Sequence, residues 1–240
     1  MIFVILTPLL IVLFGILTKS SIVPLFIIIL SKWRMFAVKP RYWLANVRSN
    51  MVDIIVGFSI VGFIAGTGVF EKDYSGNYLT MFIWMAVYVL WLTLLKPRSD
   101  NLSIGIQAFV AQGLGLVSLF SNHNDWNQVF LISATWLICF SSARHLLATF
   151  EDNSNRVLSH VWGVFAAYLA MILGHWQIIY AGKIPQVALI LSILGYALGV
   201  GYYIHKTKGL RSGLRTQLVF FCVIMLTLIV VLSNWQTSTF

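Results

Sequence analysis

The apolar runs of this sequence contain very few side chains that could do chemistry. Asp53 is the only carboxylate inside such a run, three residues from its start and close to Arg48. We interpret it as a partner for the positive end of a helix. The whole chain has 7 Asp and Glu, and no charged residue falls at the middle of a run. Carboxylate-coupled ion transport, intramembrane aspartyl proteolysis and carboxylate-dependent metal catalysis are therefore disfavoured.

The other reactive residue types lack the partners that their chemistry needs. Cys139 and Cys222 stand in apolar runs without neighbouring ligand residues, which indicates neither a disulfide framework nor a zinc site. The 5 histidines do not form two pairs at matched spacing on two helices, as intramembrane haem would require. A G-x-S-x-G elbow is also absent. We therefore predict no catalytic residue, no metal site and no cofactor, and favour a non-enzymatic role.

Gln112, Gly62 and Gly66 are the candidates for lining a solute path. Gln112 is the amide nearest the middle of an apolar run and stands beside glycines. Gly62 and Gly66 form a G-x-x-x-G face that allows close helix approach. The alternative for Gln112, which we favour, is an interhelical hydrogen bond.

A basic segment, residues 31–50, interrupts the apolar pattern early in the chain. It alternates basic and aromatic side chains, which is typical of contact with anionic lipid headgroups. The candidate headgroup contacts are Lys32, Arg34, Lys39, Arg41 and Trp43. Nucleic acid is not predicted as a partner, because basic residues beside membrane spans are already explained by topology.

The composition makes lipid the main solvent for this chain. Hydrophobic residues make up 59% of the sequence, charged residues only 10%, and the mean hydropathy is +0.88. In lipid, backbone polar groups need internal partners, and the runs lack the alternation of a membrane barrel, so the spans are helices. We predict an all-α transmembrane bundle with a single membrane domain, residues 1–240, and about eight spans. The predicted spans lie near residues 2–30, 51–70, 79–95, 102–120, 128–149, 157–180, 184–205 and 216–235.

The first span is the least regular, because Lys19, Ser20 and Ser21 divide its apolar residues. We predict one kinked span for residues 2–30, with a hairpin of two short helices as the alternative. When the loops alternate between the two sides, 13 Lys and Arg collect on one side and 3 on the other. The positive-inside rule then predicts cytoplasmic basic loops in the cell membrane and an external C-terminus.

A shift of 110 residues superposes several spans in order and matches Arg34 with Arg144 and Lys96 with Lys206. This offset is compatible with two parallel four-helix repeats, and the alternative, which we favour, is regular span spacing plus chance. The leading functional hypothesis is a small permease or channel-like transporter, or the membrane subunit of one. The alternatives are a non-transporting scaffold or assembly subunit, whose spans bind partner helices or a second copy, and then an intramembrane enzyme.

Overall fold

The computed structural model describes residues 2–70, 76–122, 127–150, 152–176, 180–181, 184–208 and 212–233. These residues are almost entirely helical, which confirms the predicted all-α class. Six helices are long and apolar enough to cross a membrane, and a seventh crossing is reached by counting one bent helix pair as a span. The count of eight spans and the repeat stay predictions. The chain divides into two compact units, 1–103 and 104–240.

The first unit contains five helices and a π-helical turn. The helices are α1 (Ile2–Thr18), α2 (Ile22–Ser31), α3 (Trp43–Ser49), α4 (Met51–Ala65) and α5 (Tyr78–Leu90). The π turn, Trp91–Leu95, continues α5 to the end of its apolar run. Two short 3-10 turns, Trp33–Met35 and Pro40–Tyr42, lie between α2 and α3. The predicted span 51–70 therefore contains α4, and the predicted span 79–95 contains α5 followed by the π turn.

Residues 2–30 form two helices, α1 and α2, and whether these make one kinked span or a hairpin of two stays a prediction. The break falls at Lys19, which adopts a left-handed φ of 50°. Near the end of α1, Gly15 lies so close to the ring of Phe70 that a Cβ would overlap it. Lys32, just beyond α2, pairs with Asp53 near the start of α4. Accordingly, α1 ends where α4 ends, and α2 ends where α4 begins.

Gly57 brings three helices of the first unit together. A Cβ at this position would lie 2.9 Å from Ile28 of α2 and 3.3 Å from the Tyr88 hydroxyl of α5. Only glycine allows both neighbours to approach the α4 backbone this closely without a shift. The amino end of α5 is fixed by Asn77, whose side-chain oxygen accepts a hydrogen bond from the Thr80 N–H at 3.1 Å.

The second unit contains the later helices and a very short strand pair. Its helices are α6 (Asn101–Asn122), which begins at the end of the first unit, α7 (Gln128–Leu147), α8 (Asn155–Trp176), α9 (Gln186–Lys208) and α10 (Ser212–Leu232). Strands β1 (Tyr180–Ala181) and β2 (Ile184–Pro185) pair antiparallel before α9. Asn127 caps α7 by accepting from the Val129 N–H at 2.8 Å.

Helix α8 packs closely along α7 because α8 has a glycine, Gly163, where the two helices meet. A Cβ at Gly163 would lie 3.0 Å from Phe140 and 3.1 Å from Trp136, whose rings are stacked. Helix α10 makes its main contact with α9 and leaves most of its apolar side chains exposed. The predicted external loops around 71–75, 123–126 and 182–183, and the C-terminal residues 236–240, lie outside the described residues.

Candidate functional site

Asp53 is the centre of a buried charged cluster near the start of α4. Its side chain is 8% exposed. The Lys96 ammonium donates to Oδ2 at 2.5 Å, and the Lys32 ammonium donates to the same oxygen. The Trp91 indole N–H donates to Oδ1 at 2.9 Å. We call these four residues the Asp53 cluster, and both oxygens of its carboxylate are engaged.

The π turn is what places two members of the cluster on one face. Trp91 and Lys96 are five residues apart, and in a regular α-helix with 3.6 residues per turn they would point about 140° apart. The π turn instead closes with a hydrogen bond from the Lys96 N–H to the Trp91 carbonyl at 2.9 Å. The wider turn brings residues five apart nearer to one face of the helix, and both side chains reach Asp53. Such π turns are frequent at functional sites.

The electrostatics of the cluster leave an excess of one positive charge. Lys32 is 8% exposed. Burial lowers the pKa of its ammonium to about 8, because this effect is larger than the attraction to Asp53, which raises the pKa. The side chain of Lys96 is 38% exposed. Burial also acts to lower the pKa of Lys96, but the attraction and hydrogen bond of Asp53 outweigh it and raise the pKa. Lys96 is therefore the fully charged member of the cluster that reaches the surface.

Tyr88 adds an unsatisfied polar group beside the cluster. Its side chain is buried, and its hydroxyl has no hydrogen-bond partner among the described residues. The hydroxyl lies against Gly57, one helical turn after Asp53. An unsatisfied buried hydroxyl costs about 1–3 kcal/mol, which a water or polar solute could recover.

The structure gives Gln112 two interhelical hydrogen bonds. Its side chain is 5% exposed. Nε2 donates to the Leu191 carbonyl of α9 at 2.9 Å, and Oε1 accepts from the Trp162 indole of α8 at 3.3 Å. Gly195 makes room for the amide, because a Cβ there would lie 2.9 Å from Cδ of Gln112. This geometry corresponds to the packing alternative for Gln112 and ties α6, α8 and α9 together.

The two path-lining glycines lie in the first unit, whereas Gln112 belongs to the second. Gly62 is buried within α4, and Gly66 is exposed at the end of that helix. Their role as path-lining residues stays a prediction.

One of the predicted headgroup contacts has a different environment from the others. Arg34, Lys39, Arg41 and Trp43 are exposed, as contact with a lipid surface requires. Lys32 is buried and paired with Asp53. The same basic residue that fits a juxtamembrane pattern is an internal counter-ion in the structure, and its contact with headgroups stays a prediction. The sequence pattern placed only Arg48 close to Asp53 and did not indicate its partners in the structure, Lys32, Trp91 and Lys96.

The second unit has an ion pair of its own, in a more exposed position. Lys206 pairs with Asp152 at 2.6 Å, and the Tyr202 hydroxyl donates to the same carboxylate oxygen at 3.1 Å. The hydrogen bond from Lys206 is the largest of the effects that hold the pKa of Asp152 well below its usual range. Asp152 also lines an open pocket of about 530 Å³, together with Arg144 and Arg156.

Groups suited to metal binding are not found among the described residues, since no three His, Cys, Asp or Glu side chains lie close enough to share an ion there. The isolated histidine His145 contacts Gln107, 2.9 Å away. Comparisons with protein-family models, with curated proteins and with solved structures found no match to this chain. Its six long apolar helices are those of a multi-pass membrane protein, by length and composition.

Proposed function

We propose that this chain is a small permease or channel-like transporter, or the membrane subunit of one, and that the Asp53 cluster lies at one end of its path. The observation that carries the proposal is the buried carboxylate shared by two lysines. Ionisable side chains are expensive within apolar helical units and mark substrate or ion pathways by default.

The arrangement of the cluster supports a role in moving a solute. Three different segments contribute to it: the end of α2, the start of α4 and the π turn after α5. Lys96 reaches the surface while Lys32 is enclosed, so the charge extends from the exterior into the unit. The excess positive charge favours an anionic or polar solute over a cation. The unpartnered Tyr88 hydroxyl offers a further polar contact next to it.

The proposed sidedness follows from the basic loops. Lys32 and Lys96 are members of the cluster and belong to the basic side of the chain, so we place the cluster at the cytoplasmic face of the cell membrane and the C-terminus outside. We take α1 and α2 as a hairpin in the membrane, which would return the start of α1 to the same side as the basic segment.

The experiment measures solute flux into liposomes that contain the full chain. Light scattering after an osmotic step reports permeation of chloride, inorganic phosphate and glycerol. The variant Lys96→Gln removes the exposed charge and leaves Asp53 paired with Lys32. The matched control is Lys206→Gln, because Lys206 has a similar exposed fraction of 37% and a similar ion pair.

The expected result is a loss of anion flux of about tenfold or more in Lys96→Gln and none in Lys206→Gln. Both variants should keep their thermal stability, because partly exposed ion pairs contribute only about 0–1 kcal/mol. Equal flux in both variants and the parent would make the cluster a structural tie. Flux no faster than in protein-free liposomes for every solute would favour the scaffold.

One observation favours that second candidate, the non-transporting scaffold. Only 6% of the apolar window of α10 is buried within the chain. Such a face suits either lipid or the helix of a partner subunit, because membrane helices associate partly through van der Waals packing. Co-purification of a defined membrane partner, lost when α10 is made bulkier, would support the scaffold.

A further inference from the structure

We propose that residues 33–49 form an anionic-phospholipid binding surface on which arginine and lysine side chains contact lipid phosphates and Leu44 enters the acyl region. We call these residues the collar. The proposal does not depend on whether the chain transports a solute.

The collar is a folded element. The Trp43 indole donates to the carbonyls of Phe36 at 3.1 Å and Val38 at 2.9 Å, which closes the loop between the two 3-10 turns. The rings of Phe36 and Trp43 meet edge to face at 5.7 Å. Met35 is buried beneath, and the Asn46 side chain donates to its carbonyl at 3.2 Å. The outward side chains are therefore presented from a fixed backbone.

The collar lies strongly inclined to the helix that follows it. Residues Pro40–Ser49 are bent by 62° from α4, Met51–Ala65. If α4 runs along the membrane normal, this bend brings the collar much closer to the membrane plane than to the normal. A surface segment with basic and aromatic side chains in this orientation is the arrangement of an interfacial anchor.

The helical segment Pro40–Ser49, which joins the second 3-10 turn to α3, has an exposed face with one apolar side chain and two basic ones. Leu44 is 82% exposed, the most exposed large apolar side chain of the described residues. Arg41 precedes it by three residues and Arg48 follows it by four, so all three share one face. The Arg41 guanidinium also lies over the Tyr42 ring, 4.6 Å from its centre. Long basic side chains beside such a residue can reach the phosphates while the leucine enters the lipid.

Charge complementarity selects the lipid. Arg34, Lys39, Arg41 and Arg48 are exposed, and 31–50 contains no acidic residue. Each basic residue near an anionic surface contributes about a fivefold preference for it. Lys32 is the exception in this stretch, because its ammonium is buried and paired with Asp53. The structure therefore separates a basic residue that should not contact lipid from neighbours that should.

The test uses the full chain in bilayers of phosphatidylcholine and phosphatidylglycerol, mixed three parts to one. Photoreactive forms of the two lipids carry the same acyl chain, and mass spectrometry locates the cross-links. The measured quantity is the ratio of phosphatidylglycerol to phosphatidylcholine cross-links on the collar. Cross-links on residues 219–232 of α10, which carry no charge, serve as the internal reference.

The collar of the parent protein should prefer phosphatidylglycerol by at least about fivefold over the reference, the contribution of one basic residue. The combined variant Arg34→Gln, Lys39→Gln and Arg41→Gln should lose most of this preference, and so should the parent at about 1 M salt, where charges are screened beyond roughly 3 Å. The matched control Lys32→Gln should keep it.

Three outcomes would overturn the proposal: equal ratios on the collar and on α10 in the parent protein, a preference that survives high salt, or a loss in Lys32→Gln as large as that in the combined variant. The salt measurement is made on the parent protein, so it decides the question even if the combined variant folds poorly. Flux measurements on the same preparations are independent of this result.

Discussion

The substitution Gly195→Ala should destabilise the second unit, because it inserts a methyl group where the Gln112 amide lies. The new Cβ would be 2.9 Å from Cδ of Gln112 and closer still to Nε2. The amide has no simple way to move, since it is bonded to the Leu191 carbonyl and the Trp162 indole. Overpacking of this kind costs about 1–3 kcal/mol. Losing both hydrogen bonds would cost on the order of 1 kcal/mol, at about 0.6 kcal/mol each.

The assay is unfolding of the full chain in mixed micelles by added dodecyl sulfate, followed by circular dichroism. Gly174→Ala is the matched control, because nothing lies within 4 Å of its Cβ position. Alanine is the better helix former by about 0.5–1 kcal/mol, so the control should be neutral or more stable. Combining Gly195→Ala with Gln112→Ala frees the space and should recover about 0.5–3 kcal/mol relative to the sum of the single changes. Equal stability of Gly195→Ala and Gly174→Ala, or strict additivity of the double variant, would refute this account of Gln112.

Three further predictions concern the charged groups and the sidedness. Trp91→Phe keeps an aromatic ring but removes the N–H that donates to Asp53. Thermal unfolding should show that the free energy of unfolding falls by about 1.5–3 kcal/mol. An unchanged melting temperature would mean that water replaces the indole. The pKa of Asp152 is held below its ordinary value of 3.8. Its ionised carboxylate therefore stabilises the fold above pH 3.8, and this contribution is lost as the pH falls through the lower pKa of the folded state. Melting curves should show that acid destabilises the parent more than it destabilises Asp152→Asn. A cysteine at Ser75 should react with an impermeant thiol reagent on intact cells and one at Asp100 should not, and the reverse pattern would invert the topology.

The helices follow from the sequence because each apolar run is close to the length that a span needs. Runs 102–120 and 128–149 match α6 and α7 within a few residues. Residues 2–30 are a harder case, because the polar triplet Lys19, Ser20 and Ser21 can either kink a span or divide it. The φ of 50° at Lys19 shows where the two helices separate. Composition predicts the all-α class because an apolar chain has lipid as its solvent, and in lipid the backbone polar groups must pair within helices. The apolar residues that carry this information are spread along the whole chain.

The Asp53 cluster could not be predicted from spacing. Its contacts join residues 21, 38 and 43 positions apart in sequence. In a regular helix, Trp91 and Lys96 would not share a face, so helical periodicity counts against the pair. The π turn that unites them has no sequence signature in Trp91–Leu95. Lys32 likewise obeys the positive-inside pattern, and that pattern gives no reason to expect its burial.

The 110-residue offset matches Lys96 with Lys206, but two matching lysines are not enough to establish a duplication. Shifting α6 by this offset covers residues 211–232, almost the range of α10, Ser212–Leu232. Lys96 and Lys206, which the offset superposes, each form an ion pair with an aspartate. The aspartates do not correspond, because Asp53 shifted by 110 falls on Gly163, whereas Lys206 binds Asp152 from the loop before α8. A duplicated ion pair would have kept both partners at the offset. The two pairs therefore arose separately or diverged after duplication, and the repeat stays a prediction that rests on span spacing.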